Sequence, residues 1–154
     1  VLSDKAGIFG MVGGQAVDVE AEKKELVLRE EELMFIHEKK TSALIQASLM
    51  VGAILAGASQ ADVSKMELVG KYLGLAFQIQ DDILDVTGTL QELGKPIGSD
   101  EKNHKQTYVT LNGLERSKEQ VKKLSEEAVE IIDSFGGDSA FLKELILSLI
   151  HRSK

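Results

Sequence analysis

The acidic residues of segment 77–85 have the types and spacing of a metal-binding group. The segment reads Phe-Gln-Ile-Gln-Asp-Asp-Ile-Leu-Asp and contains Asp81, Asp82 and Asp85. In a helix, Asp81 and Asp85 lie one turn apart on the same face, and Gln78 precedes Asp81 on that face. Mg²⁺ prefers oxygen ligands and often binds one or two carboxylates together with substrate phosphates. The segment therefore predicts a Mg²⁺ site at the three aspartates.

The position of these carboxylates conflicts with ordinary helix preferences. If the helix ends near Gly88, all three lie in its last two turns, where the helix dipole is negative and each carboxylate costs about 0.3–1 kcal/mol. Violations of local preference are typical of functional sites. A solvated acidic helix end explains the spacing equally well, so the metal site needs support from elsewhere in the chain.

Basic residues elsewhere in the sequence favour a diphosphate ligand. Lys40 and Thr41 are adjacent within a predicted helix, where an ammonium and a hydroxyl together suit a phosphate oxygen. Lys95 and Lys105 occur in the predicted loop that follows the carboxylates. Any one of these lysines alone is typical of a solvated surface. Their combination with the aspartates predicts a diphosphate held between Mg²⁺ and ammonium groups.

Several other polar or aromatic residues have two explanations. Gln15 and Asp18 share a predicted helix face, and burial of this pair against Lys40 explains them as well as contact with a ligand. His37 is typical of a packing or hydrogen-bonding histidine. Phe77 fits the core better than a ligand-stacking role. No Ser, His and acid arrangement indicates a nucleophilic triad.

The elements that must position these residues are predicted to be helices. The chain has one proline, 5% aromatic residues and many Ala, Leu, Glu and Lys residues. The predicted helices are 3–21, 30–57, 62–88, 108–111, 114–135 and 139–152, with a loop over 88–107. Asp62 is the predicted cap of the third helix, and Gly57 and Gly88 are the predicted ends of the second and third. Four glycines weaken helix 3–21 and predict close packing or a bend.

Composition limits the remaining possibilities. The 154 residues are enough for one core, and the absence of cysteine excludes disulfides, cysteine-ligated zinc and thiol catalysis. A net charge of -7 and a pI near 5.0 argue against general nucleic-acid binding. No apolar run approaches the roughly 18 residues of a membrane span. No leader follows Val1, so a cytoplasmic protein without membrane attachment is expected.

The order and spacing of the motifs resemble the trans-prenyltransferases, or polyprenyl diphosphate synthases, and in particular their bacterial members that make farnesyl diphosphate. The matching pieces are Gly-Met-Val-Gly-Gly-Gln-Ala-Val-Asp at 10–18, His37 with Lys40-Thr41, segment 77–85, Gly-Lys-Pro-Ile-Gly-Ser-Asp at 94–100, Lys-Gln-Thr-Tyr at 105–108 and the basic end 151–154. Together they extend over nearly the whole chain.

This resemblance implies an all-α bundle around an apolar cavity, a homodimer, and Mg²⁺-dependent condensation of an allylic diphosphate (dimethylallyl or geranyl) with isopentenyl diphosphate to give farnesyl diphosphate. The implied metal ligands are Asp81 and Asp85 with Asp82 in support. The implied allylic diphosphate ligands are Lys40, Lys95 and Lys105, with Thr41 and Gln78 lining the same site. Phe77 is implied to face the isopentenyl unit, and Arg152 with Lys154 to close over its diphosphate.

One departure from the family pattern is large. Members carry two aspartate-rich motifs, and only the second occurs here. We therefore expect residues 1–154 to be a single partial domain, the C-terminal half of a synthase, that is inactive without the missing N-terminal half. The alternative is a non-catalytic prenyltransferase-like subunit or interaction protein that pairs with a catalytic partner. Retention of the three lysines and three aspartates favours the first reading.

Overall fold

The computed structural model of the chain describes residues 1–88, 106–136 and 139–150, with the side chain of residue 150 left out. Its helices are α1 (Leu2–Ala6), α2 (Met11–Lys23), α3 (Glu30–His37), α4 (Ala43–Leu55), α5 (Gln60–Thr87), α6 (Tyr108–Asn112), α7 (Leu114–Asp133) and α8 (Ala140–Ile150). A π-helical turn, Glu38–Ser42, joins α3 to α4. These ranges contain no β-strand, so the predicted all-α fold is confirmed.

The predicted helix 3–21 is divided in two. The helix α1 ends at Ala6 and α2 begins at Met11, and the connection between them contains Gly7 and Gly10. The bend that the glycines predicted is therefore present. The second of these helices continues to Lys23, two residues beyond the predicted end.

The predicted helix 30–57 is also interrupted, although its ends are confirmed. At the π-helical turn the N–H of Ala43 donates to the carbonyl of Glu38, five residues earlier. In an α-helix, the same N–H would donate to the carbonyl of the residue four positions earlier, which is Lys39. Gly57 has φ +75°, which confirms the left-handed end predicted there.

The start of α5 differs from the prediction at Asp62. The capping residue is Ser59, whose hydroxyl accepts from the N–H of Asp62 at 3.2 Å and donates to the carboxylate of Asp62 at 2.7 Å. Asp62 thus lies inside the first turn, where its negative charge is favoured by the helix dipole. The helix ends at Thr87 with Gly88 as its cap, as predicted.

The core is built around α5, which packs against both α4 and α7, while α8 contacts α5 and α7. The buried apolar residues of this core are Leu33, Val69, Leu73, Leu75, Ala76, Ile79, Ile83, Tyr108, Val109, Val121, Leu124, Ala128, Ile132 and Ile146. Six of these fourteen residues belong to α5. The same helix carries the predicted metal ligands in its last turns, so their position is fixed by a helix that is packed against several others.

The predicted loop 88–107 lies largely outside the described residues. The structure resumes at Gln106, and α6 begins at Tyr108, as predicted. Among the helices of the described ranges, none is both long enough and apolar enough to cross a membrane.

Candidate functional site

The π-helical turn lies in contact with α2 because Gly14 has no side chain. A Cβ at Gly14 would lie 2.4 Å from the backbone nitrogen of Lys40 and 2.6 Å from the Cβ of Lys39. Atoms this close overlap strongly, so no larger residue fits without displacing a helix. The glycine that weakens α2 as a helix is therefore what brings α2 against the predicted cationic residues.

A second glycine brings α5 against the same turn. A Cβ at Gly74 would lie 2.5 Å from the Cα of Ser42, and one at Gly70 would lie 2.6 Å from the Cα of Gln46. These glycines are one helical turn apart on α5, so they form a small-residue strip facing the turn and the start of α4. The helix of the aspartates and the turn of Lys40 are thus held at close range.

Lys40 is paired with Asp18 across the contact of α2 with the turn. The Nζ of Lys40 donates to the carboxylate of Asp18 at 2.6 Å. The side chain of Asp18 is 12% exposed and that of Lys40 is 32% exposed. Of the two explanations for Asp18 that the sequence left open, the structure contains the ion pair with Lys40.

Thr41 and Gln78 are also brought together. The hydroxyl of Thr41 donates to the side-chain carbonyl of Gln78 at 3.0 Å. This hydrogen bond joins the π-helical turn to α5 one turn before Asp81 and Asp82. Two of the residues predicted to line one site are therefore neighbours in the structure.

The three aspartates at the end of α5 have different surroundings. Asp82 and Asp85 are 5% and 2% exposed, whereas Asp81 is half-buried. The carboxylate of Asp82 accepts from the backbone N–H of Tyr108 at 2.8 Å. Within the part of the chain that the structure describes, no group of three His, Asp or Glu side chains is arranged to hold a metal ion. One carboxylate oxygen of Asp82 is therefore directed to the start of α6.

The hydroxyl of Tyr108 lies in a second polar contact. It donates to the carboxylate of Glu30 at 3.2 Å, and Arg116 donates to the same carboxylate at 3.3 Å. Burial and the negative charge of Glu30 together raise the pKa of Tyr108 above its usual value. Nearby, the backbone N–H of Leu28 donates to the side chain of Gln106. Sequence reasoning missed this group because its members are far apart in the chain.

Phe77 and His37 belong to the described part of the chain, and the remaining basic residues predicted for the site do not. Phe77 is half-buried on α5, and His37 is 6% exposed at the end of α3. Lys95, Lys105, Arg152 and Lys154 lie outside the described residues, so their predicted roles stay predictions.

The π-helical turn is a feature that sequence reasoning did not identify. Such turns are rare and occur frequently at functional sites. A signal for it was present, because the apolar periodicity of 30–57 fails between Ile36 and Leu44, where the sequence is His-Glu-Lys-Lys-Thr-Ser-Ala. Lys40 and Thr41 both belong to this turn.

The described residues form an all-α bundle in which the π-helical turn of Lys40 contacts the helix that carries the aspartates. A sequence model of the polyprenyl synthetase family matches residues 5–138, and the chain belongs to that family.

Known proteins with similar sequences or structures include farnesyl diphosphate synthases and a geranyltransferase. The chain is 40% identical to a farnesyl diphosphate synthase of Micrococcus luteus over 100% of its own length and 52% of that protein. It is 41% identical to the farnesyl diphosphate synthase of Bacillus subtilis, over 94% of its length and 48% of that protein. A geranyltransferase of Helicobacter pylori, solved in complex with magnesium and isoprenyl diphosphate, matches with a TM-score of 0.78 and 36% identity, over 97% of this chain and 48% of the other. The chain thus spans about half the length of these relatives.

Proposed function

We propose that this chain provides one wall of the active site of a Mg²⁺-dependent prenyltransferase that condenses an allylic diphosphate with isopentenyl diphosphate to give farnesyl diphosphate. The observation that carries the proposal is the hydrogen bond of Thr41 to Gln78, which brings the turn of Lys40 against the helix of Asp81 and Asp85. The similarity to two farnesyl diphosphate synthases supports the reaction. The magnesium and isoprenyl diphosphate in the Helicobacter pylori structure support the cofactor and the ligand class.

Asp81 and Asp85 are the residues best suited to hold Mg²⁺. They lie one turn apart on α5, and their carboxylate oxygens are the ligands that the ion prefers. An Mg²⁺ ion held by Asp81 and Asp85 would supply positive charge that stabilises a leaving diphosphate. Their cost at a helix end is removed when a cation is bound, which explains why a helix carries acidic residues where its dipole is negative.

Lys40 is proposed to bind the allylic diphosphate while paired with Asp18. An ammonium group has three N–H donors, and Asp18 accepts from it at 2.6 Å. The ion pair holds the long side chain in one orientation, so the remaining donors are directed before the ligand arrives. Thr41 and Gln78 add polar groups to the same site, and Lys95, Lys105, Phe77 and Arg152 have the roles that the family resemblance implies.

We further propose that the chain alone is inactive and works with the other half of a synthase. Only one aspartate-rich motif occurs in the sequence, and a diphosphate held by Mg²⁺ from one wall lacks its second set of carboxylates. Large apolar side chains are exposed at the end of α4, between α2 and α3, and near both ends of the described chain. Those more than two-thirds exposed are Ile8, Phe9, Val27, Leu55 and Phe141. Such exposure supports a partner or a second copy of the chain, and a homodimer in the cytoplasm stays a prediction.

Titration calorimetry tests the metal assignment. Mg²⁺ is titrated in the presence of inorganic diphosphate into the unchanged chain, Asp81→Ala and Glu119→Ala. Glu119 lies exposed on α7, so its replacement removes the same charge away from the site. We expect binding to weaken at least about ten-fold in Asp81→Ala only. Equal binding by all three proteins would refute the assignment.

An activity assay tests the dependence on the other half. The purified chain is incubated with geranyl diphosphate, isopentenyl diphosphate and Mg²⁺, and farnesyl diphosphate is quantified. We expect no turnover above background. Turnover at rates typical of an enzyme would refute the requirement for a second half.

A further inference from the structure

We infer that Asp82 is a positioning residue that acts through Tyr108, and not a Mg²⁺ ligand. The inference rests on the proposed function and deepens it, because it divides the three adjacent aspartates into two ligands and one structural acceptor. Asp81 and Asp85 hold the metal, and Asp82 fixes the orientation of the helix turns that carry them.

The contact that carries this inference is buried and direct. Asp82 is 5% exposed and Tyr108 is 2% exposed, and the carboxylate oxygen lies 2.8 Å from the backbone nitrogen. Tyr108 is the first residue of α6, where a helical N–H has no partner within the helix. Asp82 satisfies this donor, and a buried donor left without an acceptor is strongly unfavourable.

Helix geometry separates Asp82 from the metal face. Successive residues of an α-helix are turned by about 100°, so Asp81 and Asp85 lie about 40° apart, while Asp82 lies about 100° from Asp81 and about 60° from Asp85. Asp82 is thus displaced to one side of the other two, and the hydrogen bond to Tyr108 shows that α6 lies on that side.

Tyr108 is held at its other end as well. Its hydroxyl donates to Glu30 on α3, and Arg116 on α7 donates to the same carboxylate. Tyr108 therefore connects α5 to α3 through its two hydrogen bonds, and Arg116 connects α7 to the same Glu30 carboxylate. Since Asp82 is the attachment on α5, it fixes the rotation of the last turns of that helix, and with it the direction of Asp81 and Asp85.

The test compares two substitutions that remove the same charge. Asp82→Asn keeps a carbonyl oxygen that accepts from Tyr108, and Asp82→Ala removes the acceptor. Two quantities are measured on the full chain, the exchange rate of the Tyr108 amide hydrogen by NMR and the binding of Mg²⁺ with inorganic diphosphate by calorimetry. Asp81→Ala is measured beside them.

A positioning role predicts rescue by asparagine. We expect Asp82→Asn to keep slow exchange at Tyr108 and binding within about three-fold of the unchanged chain. In Asp82→Ala we expect exchange at Tyr108 to accelerate at least ten-fold and binding to weaken. Loss of binding in Asp82→Asn with slow exchange retained would overturn the inference and make Asp82 a ligand. Unchanged exchange in Asp82→Ala would overturn it equally.

The two proposals fail in different measurements. If Asp81→Ala binds as the unchanged chain does, the metal assignment is wrong. The exchange rate of the Tyr108 amide hydrogen reports on the contact with Asp82 whether or not metal binds. If the metal assignment fails, faster exchange in Asp82→Ala would still support the contact between Asp82 and Tyr108, and unchanged exchange would refute it.

Discussion

The close contact of α5 with the π-helical turn makes a quantitative prediction at Gly74. In Gly74→Ala the new Cβ would lie 2.4 Å from the Oγ and 2.5 Å from the Cα of Ser42. Carbon atoms in favourable contact are about 3.5–4.0 Å apart, so the turn and the helix must separate by about 1 Å. Because the Cα belongs to the backbone, a change of rotamer cannot relieve the overlap.

The magnitude follows from a comparison with Gly52. Alanine is favoured over glycine in a helix interior by about 0.5–1 kcal/mol at either position. A Cβ at Gly52, on α4, meets nothing within 4 Å, so we expect Gly52→Ala to be stabilising. Gly74→Ala has the same helical gain together with an overpacking cost of about 1–3 kcal/mol. The difference between the two variants is therefore the overpacking cost itself.

Urea unfolding followed by circular dichroism measures this difference. With a slope of about 2 kcal/mol per molar urea, the midpoints of the two variants should differ by about 0.5–1.5 M, with Gly74→Ala the lower. Moving α5 away from the turn should also lengthen the hydrogen bond between Thr41 and Gln78 and weaken the binding of Mg²⁺ with diphosphate. Equal midpoints for the two variants would show that α5 does not approach the turn as closely as described, and the reasoning would be refuted.

Two further predictions concern the ends of helices. Ser59→Ala removes the cap of α5 and should lower the free energy of unfolding by about 0.5–2 kcal/mol in urea titrations, whereas Ser64→Ala on the exposed face should change it little. In Tyr108→Phe, the free energy of unfolding should fall less steeply than in the unchanged chain as pH rises above about 10. The raised pKa of folded Tyr108 means that the unfolded chain ionises first, so this group stabilises fully below about pH 10 and loses its effect as pH rises through the folded pKa. Identical pH profiles above pH 10 for both proteins would contradict this.

The helices were predictable from the sequence because their apolar spacing is regular. The second half of the pattern over 62–88 has few interruptions, and α5 ends at Thr87 as Gly88 predicted. The start was misplaced because Ser59 and Asp62 are both good capping residues, and only one of them accepts from the helix backbone. Spacing alone does not decide between two such candidates.

The candidate site was predictable in its residue types and not in its pairings. Lys40 and Asp18 carry opposite charges 22 positions apart, and the sequence does not say whether the lysine is directed to Asp18 or to a ligand. The contact of Asp82 with Tyr108 joins residues 26 positions apart in the chain. Long-range contacts of this kind follow from how helices pack, and packing depends on small residues such as Gly74 whose effect is visible only with the neighbouring helix in place.

The π-helical turn Glu38–Ser42 is a place where the helix from α3 to α4 can change length by one residue. A π-helical turn holds one residue more than the α-helical turn it replaces, so a chain without that extra residue could form an unbroken α-helix with the same faces on both sides. Gln46 and its neighbours would then still face the glycines of α5. Removing one residue from the regular part of α4 would instead rotate every later side chain by about 100° relative to the rest of the helix. The turn therefore accommodates a change of length that elsewhere in α4 would alter all the following contacts at once.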